Sequence, residues 1–140
     1  MKYDVLEEFL VDVTKNDHLL SWDFTSGYNH FRLHPSMRKL FVVKFMGRFF
    51  QYISLPQGWG SGGYWFIKIA RWITKHLQET QGWKVLQYVD DNIVRPSARG
   101  TSTQEDCRKA TRYLEWLFKK LGMTRHPTKG IWGCGSKRLE

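Results

Sequence analysis

The run Val85-Leu86-Gln87-Tyr88-Val89-Asp90-Asp91-Asn92-Ile93-Val94 sets two adjacent carboxylates between two apolar, β-branched segments. That pattern predicts a tight hairpin with Asp90 and Asp91 at its tip. Acids are common at turns because their side chains bond nearby backbone, so one reading of the pair is an ordinary turn. The other is a hard-cation site, since Mg²⁺ takes oxygen ligands, usually one or two carboxylates together with substrate phosphates. A third carboxylate, Asp23, ends the apolar run His18-Leu19-Leu20-Ser21-Trp22. It reads either as a cap for the turn or helix that follows or as a ligand for the same ions. Spacing along the chain leaves the distance between Asp23 and Asp90 open.

The elements that must position these acids follow from hydrophobic period and breakers. Val5, Leu6, Phe9, Leu10 and Val13 recur at helical spacing, predicting a helix over 3–13. A buried strand is expected over 18–24, then a tight turn or short helix around Gly27. An extended stretch over 31–35 ends at Pro35, with one helical turn at 36–39. Leu40–Phe45 and Arg48–Ile53, separated by Met46-Gly47, predict a two-stranded hairpin. After the glycine cluster 58–63, a helix over 64–80 places Phe66, Ile69, Ala70, Ile73 and Leu77 on one stripe. Its off-stripe Lys68, Arg71, Lys75 and His76 read as a solvated face first and a nucleic-acid contact second. A second helix over 104–121, capped by Thr103 and stopped by Gly122, carries Cys107, Ala110, Leu114, Leu117 and Leu121. A turn at His126-Pro127 and a short strand at 131–133 complete the chain.

Composition bounds the partners. The 140 residues suit one domain with a real core. Lys and Arg number 22 against 13 Asp and Glu, a net charge of +9, which favours a polyanionic partner. No apolar run approaches the roughly 20 residues of a membrane span, and the N-terminus does not open a secretory signal. Cys107 and Cys134 make no Cys-x-x-Cys pair and imply no disulfide framework. The chain therefore reads as soluble and intracellular, with cytoplasm and nucleus not distinguished. His30 and His34 lack the paired cysteines that a closed zinc site needs.

Three boxes in order carry a resemblance. Tyr88-Val89-Asp90-Asp91 resembles the Tyr-x-Asp-Asp box of reverse transcriptases, Asp23-Phe24-Thr25-Ser26-Gly27-Tyr28 is similar to their upstream acid box, and Leu55-Pro56-Gln57-Gly58-Trp59 matches their Leu-Pro-Gln-Gly box. The resemblance implies RNA-directed DNA polymerisation on an RNA or DNA template with a primer and deoxynucleoside triphosphates. It implies two Mg²⁺ ions, or Mn²⁺ in their place, held by Asp23, Asp90 and Asp91 with the Phe24 carbonyl. Tyr28 would face the nucleotide sugar, Gln57 and Gly58 would contact the nucleotide, and Lys129 would lie near the departing pyrophosphate, although it reads equally as a surface lysine. Arg38, Lys39, Lys44 and Arg48 fall in the segment corresponding to the fingers.

The implied fold is α+β: a polymerase palm-type antiparallel sheet backed by helices, with a partial fingers hairpin at 40–53. The whole of 1–140 reads as a partial reverse transcriptase domain, with upstream finger strands, primer grip and thumb expected outside it. Two departures from the family pattern are the glycine-rich Gly60-Ser61-Gly62-Gly63 and Phe24 in place of an aliphatic residue. The lean is towards a retrotransposon element. The alternative expectation is an inactive remnant that only binds nucleic acid. Oligomeric state is left open.

Overall fold

A matched antiparallel register builds the central sheet, which is covered on both faces. The computed structural model describes residues 6–132 and 137–138. Strand β1 (His18–Trp22) lies between β5 (Asp91–Arg95) and β6 (Lys137–Arg138), and β4 (Lys84–Tyr88) closes the other edge, in the order β4-β5-β1-β6. All neighbours are antiparallel, with Leu20 opposite Val94 and Val94 opposite Val85. Side chains alternate across a strand. Leu20, Trp22, Val94 and Val85 therefore face one layer, and Leu19, Leu86 and Ile93 the other.

The first layer is made by α3 (Gly62–Gln81) and α4 (Gln104–Leu121). Ile73 and Leu77 of α3 and Cys107, Ala110, Leu114, Leu117 and Phe118 of α4 close with the sheet into the main core. The reverse face is covered by the short α1 (Leu6–Leu10), whose Phe9 packs on Leu19 and Leu86. Predicted and observed helix stripes differ at their margins. Ile67 and Phe118 are buried where Ile69 and Leu121 were expected, Leu121 being half exposed in the last turn. An apolar stripe wider than one row lets either flank turn inward, and the sheet beneath decides which.

Local signals set the ends. Thr103 accepts from the Asp106 N–H while Asp106 accepts from the Thr103 N–H, a reciprocal capping box, and Gly122 ends α4 at φ 67°. Pro35 does not lie in an extended stretch but opens α2 (Pro35–Arg38), where its fixed φ and missing N–H cost nothing. The predicted hairpin forms as β2 (Val42–Phe45) and β3 (Arg48–Gln51) around Met46 and Gly47, both at positive φ. It is a separate two-stranded sheet, exposed on both faces. The first predicted helix is shorter than expected, its residues 3–5 lying outside the described ones. Ile131 runs beside β1, its carbonyl accepting from the Ser21 N–H at 2.9 Å, without forming the expected strand. Gly133 and Cys134 lie outside the described residues.

One buried acid ties β1 to the start of α4. Asp17 is fully buried, and its carboxylate accepts from the Thr14 N–H at 2.7 Å, the Ser102 N–H at 2.7 Å and both hydroxyls. Burial pushes its carboxyl up, but these donors outweigh that and hold it below its ordinary 3.8. A depressed folded pKa means that the stabilisation is complete above the unfolded value and is lost as pH falls towards the folded one. Asp17→Ala is expected to destabilise the domain by about 3 kcal/mol, because several donors lose an ionised acceptor together. Urea denaturation at neutral pH checks the size. At acid pH the gap between the variant and the parent should narrow.

Candidate active site

Asp23 and the hairpin acids meet at one end of the sheet because of the β1–β5 register. Trp22 pairs with Asn92, so the residue after Trp22 and the residues before Asn92 emerge together. Asp90 sits in the two-residue turn between β4 and β5, and Asp91, opposite Tyr88, begins β5. Val89 holds φ 56°, a conformation costly for a β-branched residue. Two buried amides brace it: Gln87 Nε2 donates to the Val89 carbonyl at 3.2 Å, and Asn92 Nδ2 to the Asp90 carbonyl at 2.8 Å. Strain that neighbours over-determine in this way is typical of functional turns.

A cleft of about 240 Å³ opens beside the turn, walled by Asp23, Phe24, Tyr28, Gln57, Asp90 and Lys129, with Ser26, Gly27, Asn29 and His126 also on its lining. Asp91 instead borders an adjoining recess that shares Asp23 and Lys129. Gly58 is not on the cleft wall; it supplies the positive φ, 89°, that turns the chain after Gln57. Arg38 donates to the Leu33 carbonyl, and Lys44 lies over the Phe49 ring on the exposed hairpin. Neither they nor Lys39 and Arg48 line the cleft.

Tyr28 belongs to a 3-10 turn over Gly27–His30 and stacks on Phe66 of α3, centroids 4.6 Å apart and planes 13° apart. There is no room for a side chain at Gly27, where a Cβ would come within 2.9 Å of the same ring. Lys129 Nζ is 2.9 Å from Asp23 Oδ2. Its backbone is set by two features that sequence reading did not single out. The His126 ring Nδ1 accepts from the Lys129 N–H at 3.3 Å. Gly130, at φ 83°, lies so close to β1 that a Cβ would collide with the Ser21 carbonyl. A glycine directly after a basic residue is a weak signal, and nothing in the spacing pointed to Ser21.

The electrostatics are those of crowded acids with one counter-charge. Burial, then the charges of Asp90 and Asp23, push the Asp91 carboxyl up, and Lys129 opposes them. The hydrogen bond to Asp23 and its charge raise Lys129, with Asp90 and Asp91 adding. Asp23 Oδ1 is buried with no hydrogen-bond partner. Among the described residues no group of three or more His, Cys, Asp or Glu side chains is arranged to hold a metal ion. The donor set nevertheless suits a hard cation: an orphaned buried carboxylate oxygen, two neighbouring acids that repel, and an ammonium already drawn to the gap.

This α+β fold, with acids grouped at one end of an antiparallel sheet, is that of a reverse transcriptase polymerase domain. The family described as reverse transcriptase (RNA-dependent DNA polymerase) matches residues 3–134, and the chain belongs to that family. Among solved structures, the prototype foamy virus protease-reverse transcriptase CSH mutant superposes with a TM-score of 0.72 at 16% identity, covering 95% of this chain and 17% of that one. The foamy viral protease-reverse transcriptase in complex with RNA/DNA hybrid gives 0.71 at 14% identity, covering 92% and 16%. These likenesses show the fold, and the chain spans a small part of either protein's length. No curated protein sequence matches it.

Removing one charge at a time should move the Asp91 titration predictably. Asp90→Asn deletes a like charge and should lower the Asp91 pKa, whereas Lys129→Met deletes the opposing cation and should raise it further. Carboxyl-carbon NMR titration of the three proteins reads both directions. Equal pKa values in all three would mean that the acids do not share a field.

Proposed function

We propose that this chain carries the catalytic palm, with part of the fingers, of an RNA-directed DNA polymerase from a retrotransposon-like element. The observation that carries the reading is the convergence of Asp23, Asp90, Tyr28, Gln57 and Lys129 on one cleft from four separate segments.

Asp23, Asp90 and Asp91, with the Phe24 carbonyl, would hold two Mg²⁺ ions, or Mn²⁺ in their place. When bound, such a pair stabilises the attacking and leaving oxygens of an in-line displacement. The remaining work falls to the chain's own residues. Gln57 orients the deoxynucleoside triphosphate at the cleft wall, and the turn at Gly58 brings backbone near it. Tyr28, held flat by Phe66, fills the space a 2′-hydroxyl would need, the group by which ribose differs from deoxyribose. Lys129 offers a positive charge where the pyrophosphate departs. The primer 3′-hydroxyl attacks the α-phosphate, forming the new phosphodiester as the bond to pyrophosphate breaks. The net charge of +9 and the RNA/DNA hybrid bound by a fold neighbour support a primer-template partner. No helix among the described residues is long and apolar enough to cross a membrane.

Primer extension by the purified chain on an RNA template, with Mg²⁺ and deoxynucleotides, tests this reading. Extension should vanish in Asp90→Asn, and Tyr28→Ala should admit ribonucleotides while still extending. If parent and variant are both inert yet bind template in a salt-dependent way, the catalytic reading fails. The chain is then a binder of nucleic acid only, because phosphate contacts weaken steeply as salt rises.

A further inference from the structure

We propose that His30 is a positioning residue that locks the sugar-facing turn to the lysine-bearing loop, so that Tyr28 and Lys129 meet a nucleotide as one unit. The nucleotide part of this proposal rests on the polymerase reading above. The His30 ring is half-buried, with both nitrogens engaged by backbone groups from different parts of the chain. Nε2 lies 3.0 Å from the Thr124 N–H and Nδ1 lies 3.2 Å from the Gly27 carbonyl. A backbone N–H only donates, so Nε2 must be the bare acceptor and the ring proton must sit on Nδ1, donating to Gly27. The donor–acceptor pattern thereby fixes the tautomer.

The two ends of this bridge are a carbonyl of the sugar-facing turn and an amide of the segment that leads to the lysine. Gly27 opens the turn that carries Tyr28. Thr124 begins the segment that runs through His126 to Lys129. Beyond the ring, the Thr25 N–H donates to the Thr124 carbonyl at 2.8 Å and the His126 N–H to the Asp23 carbonyl at 2.7 Å, with Phe24 opposite Arg125. This short ladder aligns 123–126 with 23–25 but does not reach the 3-10 turn. His30 extends it by one rung to Gly27, and its ring meets the Phe24 ring edge-on at 6.0 Å. Loss of the rung would return Gly27 and Thr124 to water at modest cost while freeing the turn from the loop. Its consequence is geometric: small misplacement of groups around a reacting substrate is expensive even where stability hardly changes.

The test uses two variants of the whole chain. His30→Phe keeps an aromatic ring against Phe24 and removes both hydrogen bonds. His30→Gln restores one donor and one acceptor on a planar amide. Dissociation constants for dATP and ATP, measured with Mg²⁺ by tryptophan fluorescence, give the deoxy-to-ribo discrimination ratio, which a smaller folded fraction does not alter. The ratio should shrink roughly tenfold in His30→Phe at an unchanged melting temperature and recover in His30→Gln. Nitrogen NMR should find the ring proton on Nδ1, and amide exchange at Thr124 should quicken in the Phe variant alone. An unchanged ratio in His30→Phe, or a ring proton on Nε2, would overturn the proposal. A parent chain that binds neither nucleotide would sink the polymerase reading and the nucleotide half of this one with it. The lock itself would then stand or fall on Thr124 exchange.

Discussion

Like charges held side by side are the constraint on which this structure turns. Three carboxylates arrive at one end of the sheet, and two unit charges 4 Å apart at an effective dielectric of about 20 repel by roughly 4 kcal/mol. The chain answers with Lys129, brought to 2.9 Å from Asp23, while the Asp91 carboxyl is pushed up by burial first and then by the charges of Asp90 and Asp23. The scaffold must therefore hold the acids together against their own repulsion. The β1–β5 register does so from below, the Gln87 and Asn92 amides brace the turn from within, and Gly130 presses the lysine segment against the Ser21 carbonyl.

The surrounding fold packs aromatic rings around that end. Trp22 and Phe24, which flank Asp23 in the chain, both set their rings against Phe118. Tyr28 is flattened against Phe66, and that contact requires glycine at 27. Asp17 and Ser102 clamp the opposite end of β1 to the approach of α4, so the strand is fixed at both ends. The β2–β3 hairpin stands apart, exposed on both faces, and contributes nothing to the core.

What was legible in the sequence followed distance along the chain. The hairpin that presents Asp90 and Asp91 is local, two apolar segments around a two-residue turn, and it forms, with Asp90 in the turn and Asp91 opening β5. The capping box and the glycine stop of α4 are equally local, and both are present. Asp23 could be recognised as a candidate, but its proximity to Asp90 depends on a pairing across about seventy residues that spacing does not encode. Lys129 read equally as a surface residue, since its side chain is indeed largely exposed. What distinguishes it is an ion pair to a residue 106 positions away. His30, weighed only as a zinc ligand, was missed for the same reason: both of its partners are backbone groups, which carry no side-chain signature.

That difference explains why the same residue types carry such different weight here. A pair of carboxylates at a predicted turn, with a third at the end of an apolar run, can be singled out from residue types alone. A histidine that bridges two carbonyl-and-amide sites leaves no such signal. Its role appears only when the donor and the acceptor are both in view, and then the direction of each hydrogen bond follows from chemistry alone. The acids mark where the proposed reaction would be held, and the long-range backbone contacts of residues 23–30 with 123–130 fix how those segments lie against one another. A cleft built from such distant segments keeps its geometry only while those contacts hold. Its sensitivity to substitution should therefore follow the hydrogen-bond partners of the two segments more closely than distance from the acids.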